Sequence, residues 1–316
     1  MLMGQTAAGP IVTLITPTFN QAAYLPLTID SVLAQDYAWL DYVVVDDGST
    51  DETPEVLERY RGRIRVRRHA NIGQARTLNR GWEAAGGKYL AYLSSDDLLH
   101  PSCISAMVSA LEADPQLVCA FPNSNVIDES GRVVKRSVGR PFSLTDLIVL
   151  QECYIGPGAV FRRDAFEAVG GWRPDLNLAP DREFWIRLAS RGSFHFDPRP
   201  LAQYRLHPRS ISFLETSDEV SREFLRVLDM YYAGNPTPEC VNRKDEAYGR
   251  ANIVLARNAF RSAEFARGMN YYREACRLHP PSASLKTKLS LFRNVVSKPL
   301  RVAASKLRSF RFRTSG

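Results

Sequence analysis

The stretch "IVTLITPTFNQAAYLPLTIDSVLAQDYAWLDYVVVDDGST", residues 11–50, decides the fold because two local patterns alternate within it. Its outer parts, 11–16 and 42–47, are short runs rich in β-branched residues and read as strands. Between them, 24–35 carries Leu27, Val32 and Leu33 at positions that suit one packed helical face. A strand, helix, strand order predicts a parallel βαβ unit.

The pattern continues outward. "GSTDETPEVLERY" predicts a second helix and "IRVRRH" (64–69) a third strand. "NIGQARTLNRGWEAAGG" (71–87) reads as a helix closed by glycines, and "KYLAYLS" (88–94) as a fourth strand. The first half is therefore expected to be a Rossmann-like, mostly parallel open α/β sheet, in which ligands bind outside the carboxyl ends of the strands. Polar residues collect at those ends: "TPTFN" (16–20), "DDGSTD" (46–51) and "SSDD" (94–97). The adjacent carboxylates Asp96 and Asp97 raise each other's pKa if partly buried, so they either face water in a turn or hold something positive. Taken alone, "DDGST" is equally an Asp-Gly turn leading into an ordinary helix start.

At 316 residues, 45% of them hydrophobic, the chain can bury a sizeable core in one large domain with an appendage, or in two domains. Five widely spaced cysteines without a Cys-x-x-Cys pair argue against a disulfide framework or a zinc site and for a reducing, cytoplasmic setting. The apolar run "IVTLI" is too short for a signal peptide, and no stretch of about 18 apolar residues could span a bilayer. The net charge of +7 resides in the tail: residues 285–316 hold nine Lys or Arg and no acid, leaving the remainder at −2.

In order along the chain, "VTLITPTFNQAAYLPLTIDSVLAQ", "VVVDDGSTDET", "NIGQARTLNRGWEAAGGKYLAYLSSDD", "GPGAVFRRDAFEAVGGW", "PDREFWIRLA" and "YRLHPRSIS" occur within about residues 11–212. Together they resemble the GT-A glycosyltransferases of family 2, which are inverting enzymes dependent on nucleotide-diphospho-sugars. The resemblance implies a GT-A catalytic domain over 1–215 and a metal-dependent, hexosyl-transferring reaction. The donor implied is a nucleotide-diphospho-sugar, most readily a UDP-sugar. The acceptor implied is a hydroxyl of a glycan or lipid-linked oligosaccharide, in the synthesis of cell-surface or extracellular polysaccharide.

It also implies roles for particular residues. Asp96 and Asp97 match the metal-binding part of an Asp-x-Asp motif, with Ser94 where many members carry the first Asp. The cation implied is Mg²⁺ or Mn²⁺, hard ions that take carboxylate and phosphate oxygens. Pro17, Thr18 and Phe19 match the base pocket, Asp47 a carboxylate accepting from the base imide, and Arg76 a basic position approaching the nucleotide. Ser95 and Asp96 belong to the nucleotide-sugar site, and His207 resembles a histidine that reaches the diphosphate or metal. Asp181 matches the general base that takes the acceptor proton, although Pro180 stands where the family more often has Glu. The residue-level alternatives are that Asp96 and Asp97 cap the helix beginning near Pro101, that Arg76 is a surface charge, and that Asp181 is a helix N-cap. "GPGAVFRR" (156–163) lacks the third glycine and the βαβ context of a dinucleotide fingerprint.

Beyond residue 215 the pattern turns helical. "SDEVSREFLRVLDMYYAG" (217–234) is an amphipathic helix ending at Gly234, "NPTP" (235–238) a linker, and 247–280 a helical hairpin with one copy of a tetratricopeptide-like pattern. These define a helical extension over 216–284 and a basic amphipathic tail over 285–316. The tail suits an anionic membrane surface at the inner face of the cell membrane, a packed stripe on the protein, or, less well, a nucleic-acid arm; no nucleic-acid partner is expected. Two further classes stay open. One is an inactive GT-A-like nucleotide-sugar-binding or scaffold protein. The other is a nucleotidyltransferase, whose usual glycine-rich basic loop is missing from "TPTFNQAAY".

Overall fold

The computed structural model describes residues 9–207, 210 and 217–291. The chain forms two compact units, one of Met1–Leu144 with Cys153–Ser210, the other of Thr145–Glu152 with Ile211–Gly316. Segment 145–152, which the sequence pattern leaves with the catalytic half, thus belongs to the helical unit.

The first unit opens with β1 (Val12–Thr18), α1 (Leu25–Leu33), β2 (Leu40–Asp46), α2 (Thr53–Glu58), β3 (Arg65–Arg68), α3 (Gln74–Glu83) and β4 (Tyr89–Tyr92). It continues with β5 (Leu98–Leu99), α4 (Cys103–Ala113), β6 (Leu117–Ile127), β7 (Val133–Lys135), β8 (Val160–Arg162), α5 (Arg163–Val169), α6 (Pro180–Leu188) and β9 (Ser193–Arg205). The sheet order is β3-β2-β1-β4-β8-β6-β9-β5, with β7 paired to β6. The expected βαβ pairings are present: β1 runs parallel to β2 and β4, and β2 parallel to β3. β8 enters antiparallel between β4 and β6, and β5 pairs antiparallel with β9, so the second half of the sheet is mixed.

Every residue of β1 is buried, as a central parallel strand covered on both faces requires. Thr13 and Thr16 stay paired: Tyr42 donates to Thr16 Oγ1 (3.1 Å) and the Gly87 amide to Thr13 Oγ1 (3.2 Å). At the edge, β3 reads Arg-Val-Arg-Arg and is exposed throughout, which guards an open strand against pairing with another chain. One expectation fails on α1: Leu27 is 51% exposed, and the buried face is Leu25, Thr28, Ile29 and Val32, with Leu33 partly buried against them. The helix begins only at Leu25, directly after Tyr24 with Pro26 in its first turn, so the packed stripe is phased from Leu25.

An aromatic cluster fills the space behind the strand ends. Trp82 of α3 lies 5.5 Å from Phe161, 5.6 Å from Phe166, 5.9 Å from Trp172 and 6.0 Å from Tyr92, all edge-on. Such tilted contacts favour the ring quadrupoles.

In the second unit the amphipathic segment after 217 divides into α7 (Asp218–Ser221) and α8 (Glu223–Ala233), and a short α9 (Pro238–Asn242) follows the linker. α10 (Lys244–Arg261) and α11 (Phe265–Leu278) form the expected hairpin, and the π-helical turn Asp146–Leu150 packs on α10. Of the apolar stripe expected on the basic tail, Leu285 and Leu289 are 72% and 54% exposed, and Leu291, which is not on it, is buried with Leu255, Phe260 and Tyr271. The remaining stripe, from residue 292 onward, lies outside the described residues, as do residues 211 and 212 of "YRLHPRSIS". No described helix is long and apolar enough to cross a membrane.

Candidate active site

Two loops at the carboxyl ends of β1 and β2 are knitted into one surface. The Asn20 amide donates to Ser49 Oγ (2.9 Å), and Asn20 Oδ1 accepts from the Thr50 amide (2.8 Å). The Gln21 amide donates to Thr53 Oγ1 (3.0 Å) and the Ala22 amide to Asp51 Oδ2 (3.2 Å). Gly48 permits the turn: its φ is +78°, and a Cβ there would stand 2.7 Å from the Asn71 nitrogen. Asp46 is fully buried and caps the same turn by accepting from the Ser49 amide (2.9 Å).

Asp47, expected to read the base, also anchors the loop before α3. Its two oxygens accept from the amides of Ile72 (2.8 Å) and Gly73 (2.9 Å), and His69 Nδ1 lies 3.3 Å away. Pro17 and Thr18 are buried at the end of β1, Phe19 is 44% exposed beside them, and Arg76 is exposed on the first turn of α3. Thr18 Oγ1, Gln21 Oε1, His69 Nε2 and Thr77 Oγ1 are buried with no hydrogen-bond partner among the described residues, while Asp46 Oδ2 is met by Arg68 Nε (3.1 Å). A cluster of unmet polar atoms at one sheet edge is costly and is expected where water or ligand completes the bonding.

The Asp96–Asp97 turn follows β4, with the Asp97 amide donating to the Ser94 carbonyl (3.1 Å). The two aspartates differ in surroundings. Asp97 is 3% exposed; its Oδ1 accepts from the Arg205 amide (2.8 Å), and its carbonyl accepts from Thr28 Oγ1 (2.9 Å). Burial, with the charge of Asp96 added, pushes the Asp97 carboxyl well above the usual range, against the opposing pull of the Arg205 amide and guanidinium. Asp96 is half-buried, and its Oδ2 lies 2.9 Å from His207 Nε2. Ser95 is buried between Ser94 and this pair. Neither aspartate caps the next helix: α4 starts at Cys103 with Ser102 at its N-cap.

Adjacent ligands of an octahedral cation at about 2.0–2.1 Å lie about 3 Å apart, the separation seen between Asp96 Oδ2 and His207 Nε2. Among the described residues no three His, Cys, Asp or Glu side chains form a metal-binding group. A divalent ion would thus take two protein donors here, one oxygen and one imidazole nitrogen, with positions left for phosphate oxygens and water. The residues present fit such an ion. In this geometry Asp97 supports the turn and Asp96 presents the carboxylate.

Asp181 lies in the first turn of α6, half-buried. Ala179 is the N-cap residue and no side chain caps the helix, so capping does not account for Asp181. Burial raises its carboxyl above the ordinary value, although Arg182 and nearby backbone amides pull the other way. The shift comes from burial and needs no acidic neighbour at Pro180. Asp181 adds to the upward push that burial exerts on the Tyr92 hydroxyl at the end of β4 and on the Cys153 thiol, which reaches about 12. Arg187 braces the helix, binding both oxygens of Glu183 (2.7 Å each) and the carbonyls of Gly170 (3.0 Å) and Gly171 (2.7 Å). Asn79 pins Trp172 in the same loop through its amide (2.8 Å) and carbonyl (2.7 Å).

Sequence reading missed Arg205, whose main chain and side chain meet the Asp96–Asp97 turn. Arg205 had one signal, its place in "YRLH" beside His207, but a strand-end arginine gives no local sign that it is buried.

The family model "Glycosyl transferase family 2" matches residues 13–170. The putative teichuronic acid biosynthesis glycosyltransferase TuaG of Bacillus subtilis is 31% identical over 211 residues, 64% of this chain and 82% of that protein. An uncharacterized glycosyltransferase of Rickettsia felis is 31% identical over 207 residues, 63% of this chain, and the chain spans only 34% of its length. Chondroitin synthase of Escherichia coli is 27% identical over 189 residues, 58% of this chain and 27% of that one. Among solved structures, TarS of S. aureus (residues 1–349, with UDP) has a TM-score of 0.54 at 16% identity, covering 85% of this chain and 89% of its own. The mannosyltransferase PcManGT of Pyrobaculum calidifontis, with GDP-Man and Mn²⁺, has a TM-score of 0.59 at 20% identity, covering 95% and 84%. These structural likenesses establish the GT-A fold.

Proposed function

The chain belongs to glycosyl transferase family 2, and on that premise we propose that it is an inverting, metal-dependent transferase moving a sugar from a UDP-sugar to a glycan or lipid-linked hydroxyl during polysaccharide synthesis. The observation that carries the reading is the Asp96–His207 pair, 2.9 Å apart at a sheet edge whose neighbouring loops hold unmet polar atoms. Its relatives include a putative teichuronic acid glycosyltransferase and a chondroitin synthase, and its structural neighbours were seen with UDP or with GDP-Man and Mn²⁺.

Asp96 and His207 would hold the ion, and the imidazole donor favours Mn²⁺ over Mg²⁺. A bound ion supplies Lewis-acid neutralisation of the leaving diphosphate. The chain's own residues do the rest. Pro17, Thr18, Phe19 and Asp47 form the base pocket, and Ser95 and Arg76 border the phosphates and sugar. The acceptor oxygen forms a bond to the anomeric carbon as the bond to the diphosphate oxygen breaks, and the acceptor proton passes to the Asp181 carboxylate. Its raised pKa strengthens it as a base. The basic segment after Leu285, whose first apolar positions are exposed, is the element for holding the enzyme at an anionic membrane.

Calorimetric titration of UDP, GDP, CMP and dTDP and their sugars, with and without Mn²⁺, tests this on the wild type and on Asp96→Ala. Metal-enhanced binding of the uridine forms, lost in Asp96→Ala, is expected. Absence of binding by any nucleotide would overturn the catalytic reading and leave a GT-A-shaped scaffold.

A further inference from the structure

Arg205 is 1% exposed, one of the largest fully buried side chains in the protein. Burying a guanidinium is expensive unless its donors are met. Here the partners are carbonyl oxygens: Nε donates to the Asp96 carbonyl (2.8 Å), and Nη1 to those of Asp128 (3.1 Å) and Glu129 (3.3 Å). The Tyr24 ring covers it, with its centroid 5.0 Å from Cζ. The same ring lies 4.9 Å from the His207 imidazole.

The arrangement grips one turn from several sides. The Arg205 amide holds the Asp97 carboxylate, its side chain holds the Asp96 main chain, and His207, two residues on, meets the Asp96 carboxylate. The Asp128 turn is itself rigid, because Asp128 Oδ1 accepts from the Ser130 and Arg132 amides (3.0 and 3.1 Å). A planar fork can bridge the carbonyls of 96, 128 and 129 at once, whereas a lysine ammonium offers a single point of contact on a flexible stem.

We infer that Arg205 is a positioning residue for the metal and diphosphate: it fixes the Asp96 carboxylate toward the incoming ion before the ion arrives. It touches neither ion nor substrate and acts through the Asp96–Asp97 main chain and the strand end that carries His207. This rests on the metal-dependent reading above. Partners that orient a ligand typically change metal affinity by about 10–100-fold when removed.

The test measures free Mn²⁺ by electron paramagnetic resonance at saturating UDP, together with melting of the metal-free protein, for wild type, Arg205→Lys, Arg205→Gln and the core control Met107→Ala. Both Arg205 variants are expected to bind Mn²⁺ about 10–100-fold more weakly. Met107→Ala is expected to melt earlier with wild-type Mn²⁺ affinity. Tyr24→Leu, which uncovers the guanidinium without removing it, should weaken Mn²⁺ in the same direction and by less; it decides the matter if neither Arg205 variant folds. Wild-type affinity in Arg205→Lys would mean that charge alone suffices and would overturn the positioning role. So would a loss of affinity that follows melting temperature with the control included, or an unchanged Tyr24→Leu where that variant must decide. If the wild type binds UDP but no Mn²⁺, the metal-dependent reading itself falls, and the role of Arg205 with it.

Discussion

Replacing Asp181 with asparagine removes one charge and almost no volume. The side chain is not the N-cap of α6, which is Ala179, and the asparagine carbonyl oxygen can still accept from the first-turn amides that meet the carboxylate, so the helix should survive. Loss of a general base costs about 10²–10⁴ in turnover, or about 2.7–5.5 kcal/mol of barrier. Stability should move the other way. The folded pKa of Asp181 lies above its unfolded value because burial penalises the carboxylate, and that direction already includes the help from Arg182. The folded state therefore binds the proton more tightly than the unfolded state. Stability falls as pH rises from the ordinary carboxylate value through the raised one, and the penalty is complete only above the raised value. Asp181→Asn should thus melt at or above the wild-type temperature at pH 7, with the advantage vanishing below the ordinary carboxylate pKa. The assay is initial-rate sugar transfer beside thermal melting at pH 3.5 and pH 7. Activity within tenfold of wild type, or a lower melting temperature at pH 7, would refute the assignment of Asp181 as the general base with a raised pKa.

Asp96→Ala should abolish metal-enhanced nucleotide binding while leaving melting almost unchanged. Asp97→Ala strands the buried Arg205 amide and should cost about 1–3 kcal/mol in denaturant titration, with Asp97→Asn costing less. Gly158→Ala combines a backbone held at φ +88° with a Cβ 2.8 Å from Cys103 Sγ and 3.0 Å from Pro122 Cγ. It should destabilise the catalytic unit by about 2–4 kcal/mol, read as a lower chemical-denaturation midpoint. Trp82→Ala empties the centre of the aromatic cluster behind Tyr92 and Trp172. A loss of about 3–5 kcal/mol is expected, and unfolding within 1 kcal/mol of wild type would deny the cluster its structural role.

Sequence alone determined the order of elements in the first half. Strand and helix periods are local, and residues 11–94 repeat them clearly enough to predict four parallel strands whose polar ends meet at one edge. The six motifs sufficed for the family, and the hairpin at 247–280 followed from its spacing. The phase of α1 was misread at Leu27 because it depends on where Tyr24 hands over to the helix. Tertiary structure alone decided the partners of Asp96 and Asp97, since the main chain of an arginine 108 residues away meets the Asp97 carboxylate while Asp96 faces His207. It likewise decided that burial raises the Asp181 carboxyl and that Arg205 is enclosed rather than exposed. Burial and charge compensation depend on groups brought together from distant parts of the chain, and no local spacing carries that information.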